Sequence, residues 1–354
     1  MVSKVAFLVD TPLQLYNSIS CAFNNQWETK TDIYLLPQFK DSDRVIGILK
    51  KSNVFNKIAV LPLDERFKIV KLNLLYAVIF PNKYVKSKMG IDMRKQKYDK
   101  IFVAQPTRLF DTLIAASGCK DVCGLEDGMG SYCRRIYDEL ATKKYKMIRS
   151  VFRKSYTVDS LYLHAPQYYI VNEIPKVCKI YSDFSEEQKK LINDIFGVYS
   201  FDEYNKYKLI YSNQPIMDFP SEHVSTEKEI IKCIGEVRGD NAIVRLHPRE
   251  KEKEIYDSFH LDGNACLWEI YCKDFNEQHI LVGYFSTTQF TPKLFYDKEP
   301  FVIFTYRIYQ DTPKDRCEQF DKMVDELRDK YVNKDRVINA KNIDELRAVL
   351  KKFS

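Results

Sequence analysis

At 354 residues the chain exceeds what one ordinary hydrophobic core accommodates and is comfortable as two domains. With 45% hydrophobic and 29% charged residues it has the profile of a folded globular protein, which excludes the disordered and fibrous classes. The net charge of +6 is modest, but bases cluster at Lys83, Lys86, Lys88, Arg94, Lys95 and Lys97, and again at Lys143, Lys144, Lys146, Arg149, Arg153 and Lys154, as an anionic partner or a solvated helix face would require. From the N-terminus, β-rich runs alternate with segments of helical periodicity. "KVAFLVD" predicts a strand, and "TPLQLYNSISCAF" an amphipathic helix that Thr11 can cap and Pro12 can begin. The opening apolar run is too short for a secretory signal and no small-residue cleavage site follows it, so no export is expected. "TDIYLLPQ" and "NKIAVLPL" predict the next strands. "LNLLYAVIF" (72–80) falls far below the roughly 20 residues of a spanning helix; with the basic stretch after it, it suits an apolar helix resting on a membrane surface. "DKIFVAQP", the helix "TRLFDTLIAAS" and "KDVCGLED" complete the first set.

"HAPQYYIVNEIPKVCKIYSDF" breaks the alternation and sets a soft boundary near 155–185, giving domains 1–165 and 166–354. The second half then offers the strands "YKLIYSNQ", "NAIVRLHP", "HILVGYFS" and "EPFVIFTY", with the helices "SEEQKKLINDIFG", "TEKEIIKCIGEV" and "NIDELRAVLKKF", the last of which could pack back on the first domain. Strand, helix, strand at this rhythm, twice, predicts an α/β fold of two Rossmann-like domains with parallel sheets facing a central cleft. The nine cysteines are odd in number, and Cys119, Cys123 and Cys133 lack the paired spacing of zinc sites. They read as reduced thiols of a cytoplasmic protein.

Parallel sheets place their chemistry outside the carboxyl ends of the strands. One such end is Asp10-Thr11-Pro12-Leu13-Gln14, where Thr11 caps a helix. Another is Glu126-Asp127-Gly128: an Asp-Gly turn, or two like charges whose repulsion lifts one pKa toward the range of a general base. Carboxylates at alternate positions are missing, so a calcium loop is excluded there. "AIVRLHPRE" puts Arg245 and His247 two apart at a strand end, a pattern suited to an anion. "FSTTQ" sets Ser286, Thr287 and Thr288 between a strand and a helix, where hydroxyls and free N–H groups can cradle phosphate. Neither a Walker A sequence nor GxGxxG occurs.

The order "EDG", "HP" and a Ser/Thr pair after the next long strand resembles the bacterial sialyltransferases of GT-B fold. "DTPLQ" is most similar to glycosyltransferase family 52, the lipooligosaccharide and capsule sialyltransferases. The resemblance, spread over residues 5 to about 305, implies an inverting transfer of sialic acid from CMP-sialic acid to a sugar hydroxyl, galactose in the first instance, with no metal required. Residue by residue it implies Asp127 as the base, with Asp218 in reserve; His247, aided by Arg245, at the leaving phosphate; Glu269 on the ribose; and Ser286, Thr287 and Thr288 on the phosphate. Asp10, Thr11, Gln14, Gln105 and Glu126 would lie on the acceptor side. "DSD" at 41–43 mimics the metal-binding Asp-X-Asp of other glycosyltransferases, but Lys40 and Arg44 flank it and it reads as a solvated loop.

The partners expected are a nucleotide sugar, a glycan acceptor and an anionic membrane surface at the inner face of the membrane, but no nucleic acid; a homodimer stays open. A CDP-glycerol-type polymer transferase and a non-catalytic nucleotide-binding protein remain as alternatives.

Overall fold

The computed structural model describes residues 4–24, 30–64, 72–133, 156–171, 173–197, 202–215, 219–247, 249–262 and 267–352. The chain divides into two units, Met1–Gly197 and Val198–Ser354. In the first, β1 (Lys4–Val9), α1 (Pro12–Phe23), β2 (Lys30–Leu35), α2 (Ser42–Ser52) and β3 (Lys57–Val60) are followed by three helices, α3 (Leu72–Ile79), α4 (Pro81–Met89) and α5 (Met93–Gln96). Then come β4 (Lys100–Val103), α6 (Arg108–Ser117), β5 (Asp121–Leu125), α7 (Gly130–Cys133), β6 (Thr157–Leu163), β7 (Lys176–Lys179) and α8 (Glu186–Phe196). The strands pair in parallel in the order β3-β2-β1-β4-β5-β6-β7. Val5 to Val9 of β1 are all buried, the continuous apolar run of a strand covered on both faces. Phe7 stacks on Phe102 of β4 at 4.8 Å, and Tyr162 of β6 meets Phe102 edge-on at 4.9 Å, so the core runs across the sheet.

The second unit holds α9 (Asp202–Lys206), β8 (Leu209–Ser212), α10 (Ser221–Arg238), β9 (Ala242–Arg245), β10 (His260–Leu261), α11 (Trp268–Tyr271) and β11 (Ile280–Gly283). It continues with α12 (Thr287–Tyr296), β12 (Phe301–Phe304), α13 (Lys314–Lys330), β13 (Val337–Asn339) and α14 (Ile343–Lys351). Its sheet is also parallel, in the order β10-β9-β8-β11-β12-β13. In both units the first strand lies between the second and the fourth, the doubly wound order whose switch points fall at β1/β4 and β8/β11.

Two expectations are corrected. The boundary lies at 197/198 rather than 165/166, because β6, β7 and α8 belong to the first unit. Arg44 at the start of α2 donates to the carbonyls of Asp194 (2.7 Å) and Ile195 (3.0 Å) at the end of α8, satisfying groups that the helix leaves open. The helix "SEEQKKLINDIFG" therefore closes the first domain instead of opening the second. The segment that seemed to break the alternation contains β7, an edge strand with lysine at both ends, which masks its strand character. Within the second unit, α14 packs along α10, with Arg347 paired to Glu236 at 2.6 Å.

Candidate functional site

At the switch point of the first unit, Asp10 follows β1 and Thr11 caps α1, its hydroxyl accepting the Gln14 amide at 3.3 Å. Gln14 is buried one turn into the helix and uses both ends of its side chain. Its Oε1 accepts the Asp10 N–H at 2.9 Å and its Nε2 donates to Asp127 Oδ1 at 3.1 Å, tying the end of β1 to the end of β5. Asp127 follows β5 through a turn in which Gly128 has φ +78°, a conformation that glycine adopts without strain. Ser131 Oγ accepts the Asp127 N–H at 2.8 Å.

Thr11 and Gln105, the latter at the end of β4, also hydrogen-bond the Asp127 carboxyl. Asp10, Thr11, Gln14 and Gln105 therefore converge from two strand ends on a carboxyl carried by a third. Burial raises its pKa from 3.8 to about 6; the charge of Asp10 adds to the rise, and the hydrogen bonds from Gln14, Gln105 and Thr11 oppose it.

Glu126 corrects the expectation of two carboxylates side by side. It is fully buried, and its Oε2 accepts the Tyr132 hydroxyl at 2.6 Å and the His164 N–H at 2.7 Å. It therefore holds the end of β6 instead of facing an acceptor, and the shift on Asp127 comes from burial and Asp10. Three residues missed in the sequence, Asn17, His164 and Ser182, complete this support. Asn17 donates to the Glu126 carbonyl at 2.9 Å, and its Oδ1 lies 2.8 Å from His164 Nε2. Ser182 Oγ lies 3.3 Å from His164 Nδ1. Burial, with Lys179 adding to it, pushes the His164 pKa down to about 3, so the ring is neutral; with Nδ1 accepting from Ser182, its proton sits on Nε2. The available signal was a polar face, Gln14, Asn17 and Ser18, on an otherwise apolar helix, and all three are buried.

In the second unit, Asn213 follows β8 and is buried. Its Oδ1 accepts the His247 N–H at 2.6 Å, while its Nδ2 donates to Glu250 at 2.8 Å and to the Tyr256 hydroxyl at 3.1 Å. One side chain thus fixes the loop after β9. His247 is half-buried, and its Nδ1 accepts the Arg249 amide at 3.1 Å, which leaves the proton of a neutral ring on Nε2. Arg245, expected beside the phosphate, is engaged within its own unit. It pairs with Asp262, donates to the Tyr204 hydroxyl at 2.8 Å and lies over the Trp268 ring at 5.3 Å, so its charge is already balanced inside the unit.

At the end of β11, Ser286 caps α12: its Oγ accepts the Thr288 amide at 3.3 Å, and its own N–H donates to Gln289 Oε1 at 3.0 Å. Thr291 ties back to the Thr287 carbonyl at 2.8 Å, which is ordinary helix bonding. Thr288 Oγ1 is buried with no hydrogen-bond partner among the described residues. Trp268 Nε1 donates to the Thr288 carbonyl at 3.0 Å and so brings α11, with the buried Glu269, against the start of α12. Ser286, Thr287, Thr288 and Glu269 are therefore grouped beside a helix N-terminus able to take an anion. A Cβ on Gly283 would lie 2.8 Å from the Ser212 carbonyl oxygen, so only glycine permits the close approach of β8 and β11 at this switch point.

Asp218 and the basic run at 143–154 lie outside the described residues. Asp41 and Asp43 of "DSD" begin α2, and among the described residues no group of three or more His, Cys, Asp or Glu is placed to hold a metal ion.

No family model and no curated protein matches the chain. Solved structures do. A protein assigned as a UDP-N-acetylglucosamine 2-epimerase from Listeria monocytogenes matches with TM-score 0.54 and 11% identity, over 100% of this chain and 88% of that one. The GT-B domain of a sialyltransferase from Photobacterium damselae matches with TM-score 0.51 and 13% identity, over 95% and 99%. The spinosyn rhamnosyltransferase SpnG matches with TM-score 0.52 and 10% identity, over 99% and 90%. At these identities the likeness establishes the fold, which is GT-B-like with two parallel-sheet α/β units.

Proposed function

We propose that this GT-B-like chain is an inverting, metal-independent sialyltransferase that moves sialic acid from CMP-sialic acid to a sugar hydroxyl of a bacterial glycan, galactose being the expected acceptor. The observation that carries the reading is Asp127: a carboxyl raised to about 6 and gripped by Gln14, Thr11 and Gln105 at a sheet switch point. In the reaction, Asp127 takes the proton of the acceptor hydroxyl as its oxygen attacks the anomeric carbon. The bond from that carbon to the phosphate oxygen breaks on the opposite side, and CMP departs with the electron pair. In the second unit, the groups suited to that charge are the Nε2–H of His247 and the hydroxyls of Ser286, Thr287 and Thr288. Glu269 is suited to the ribose hydroxyls, and Arg245 acts through the loop that carries His247.

A second reading has a specific observation behind it. The likeness to a protein assigned as a UDP-N-acetylglucosamine 2-epimerase favours a UDP-sugar substrate, and a base poised near pH 6 also suits proton transfer at carbon. The deciding experiment incubates the purified chain with CMP-sialic acid, UDP-N-acetylglucosamine or CDP-glycerol, each with and without lactose and with and without a chelator. Nucleotide release and product mass are followed. The expected result is CMP release that requires lactose and survives the chelator. Consumption of UDP-N-acetylglucosamine without an acceptor would establish the second reading. CDP-glycerol turnover would point to a polymer transferase, and CMP binding with no donor consumed to a non-catalytic protein.

A further inference from the structure

We infer that α3, with the start of α4 and the α5 region, forms a docking face for an anionic lipid bilayer. Of the nine large apolar side chains exposed among the described residues, four fall within six positions: Leu75, Tyr76, Ile79 and Phe80, at 58%, 39%, 54% and 47% exposure. Their spacing places them on one stripe of the helix. The other side of this element is anchored. Ala77 is fully buried, and so are Tyr84 and Val85 of α4, with Tyr84 meeting Tyr76 edge-on at 6.0 Å. The stripe therefore points outward, and none of the described residues of its unit covers it.

Charge selects the occupant. Lys83, Lys86, Lys88, Arg94, Lys95 and Lys97 are all exposed directly after the stripe. The single acid between residues 72 and 98, Asp92, is occupied by Lys86 at 3.1 Å and by capping α5. Lys83 Nζ lies 5.1 Å from the Phe80 ring, so apolar contact and positive charge adjoin within a single turn. A second copy meeting this face two-fold symmetrically would set the bases against themselves. A phosphodiester backbone would leave Leu75 and Ile79 in water. An anionic headgroup layer over acyl chains satisfies both features, and eight residues of helix suit lying in the interface but not crossing it. The inference does not depend on the donor assigned above.

The test is flotation of the 354-residue chain with vesicles of phosphatidylglycerol and phosphatidylethanolamine, against vesicles of phosphatidylcholine alone. The wild type should bind the anionic vesicles selectively and lose binding as salt rises. L75S/I79S/F80S should weaken binding at least tenfold, on the order of the apolar contacts removed. K83Q/K88Q/R94Q should weaken it by about fivefold per residue and lower the salt dependence of what remains. Far-UV circular dichroism and turnover of a soluble donor and acceptor should be unchanged in both variants, which separates loss of docking from loss of fold. Failure of the wild type to float, or equal flotation of the variants, overturns the inference. So does a wild-type dimer that the serine variant converts to monomer in sedimentation velocity, since the stripe would then be a subunit interface.

Discussion

Asp127 sits under opposed influences, burial and Asp10 raising its pKa while Gln14, Gln105 and Thr11 favour the charge, with a balance at about 6. In the proposed reaction the carboxyl must be ionised, so kcat/KM should rise with pH through about 6 and level above it. Asp127→Asn should lower kcat by ~10²-fold or more while nucleotide Kd stays within about twofold, read from turnover and isothermal titration. Stability should move the other way. A carboxyl raised from 3.8 to about 6 contributes stability that is complete below the lower value and lost as pH rises through the upper one. In urea unfolding, Asp127→Asn should therefore be more stable than wild type at pH 8, by at most about 3 kcal/mol, and equal to it near pH 4. Gln14→Leu keeps the volume but removes a donor to the charged form, so the acid limb of the rate profile should shift upward. An unmoved limb would separate Gln14 from the titrating group.

At the scale of the element, Ser286 serves its helix whether or not a ligand is present, and substitutions can divide the two roles. Ser286→Ala removes the cap and should cost about 1 kcal/mol. Ser286→Asp keeps a cap acceptor, so thermal unfolding should change little, but it places a negative charge beside the proposed phosphate and should weaken CMP binding by tenfold or more. Equal CMP affinity in the aspartate variant would remove the phosphate from α12. Gly283→Ala puts a methyl 2.8 Å from the Ser212 carbonyl and must part β8 from β11. The expected cost is about 1–3 kcal/mol, measured by denaturant titration. These local devices were legible in the sequence as Thr11-Pro12 and Ser286-x-x-Gln289, because a cap and its partner lie within one turn. The role of Gly283 was not, because the carbonyl that it must clear belongs to a strand about seventy residues earlier in the chain.

At the scale of the whole molecule, two units each carry their own buried core and the same strand order. With the nucleotide site proposed in the second unit, CMP at about 100 times its Kd should stabilise that unit by about 2.7 kcal/mol. In scanning calorimetry the transition of the second unit should rise and that of the first stay fixed. Equal movement of both would place nucleotide contacts in the first unit as well.

The alternation of apolar runs and amphipathic segments by itself determined two doubly wound parallel sheets, since strand and helix periods are local properties of the chain. It also pointed to Asp10, Thr11, Gln14 and Asp127, because strand ends in such sheets are where chemistry gathers. Tertiary structure decided what each charge meets. Arg245 finds Asp262, Glu126 finds Tyr132 and the amide of His164, and His247 is held by Asn213. It decided the boundary too, through β7 and the capping of α8 by Arg44. A charge is free for chemistry or neutralised according to the groups that folding brings within hydrogen-bonding reach, and those partners come from parts of the chain whose separation no local pattern encodes.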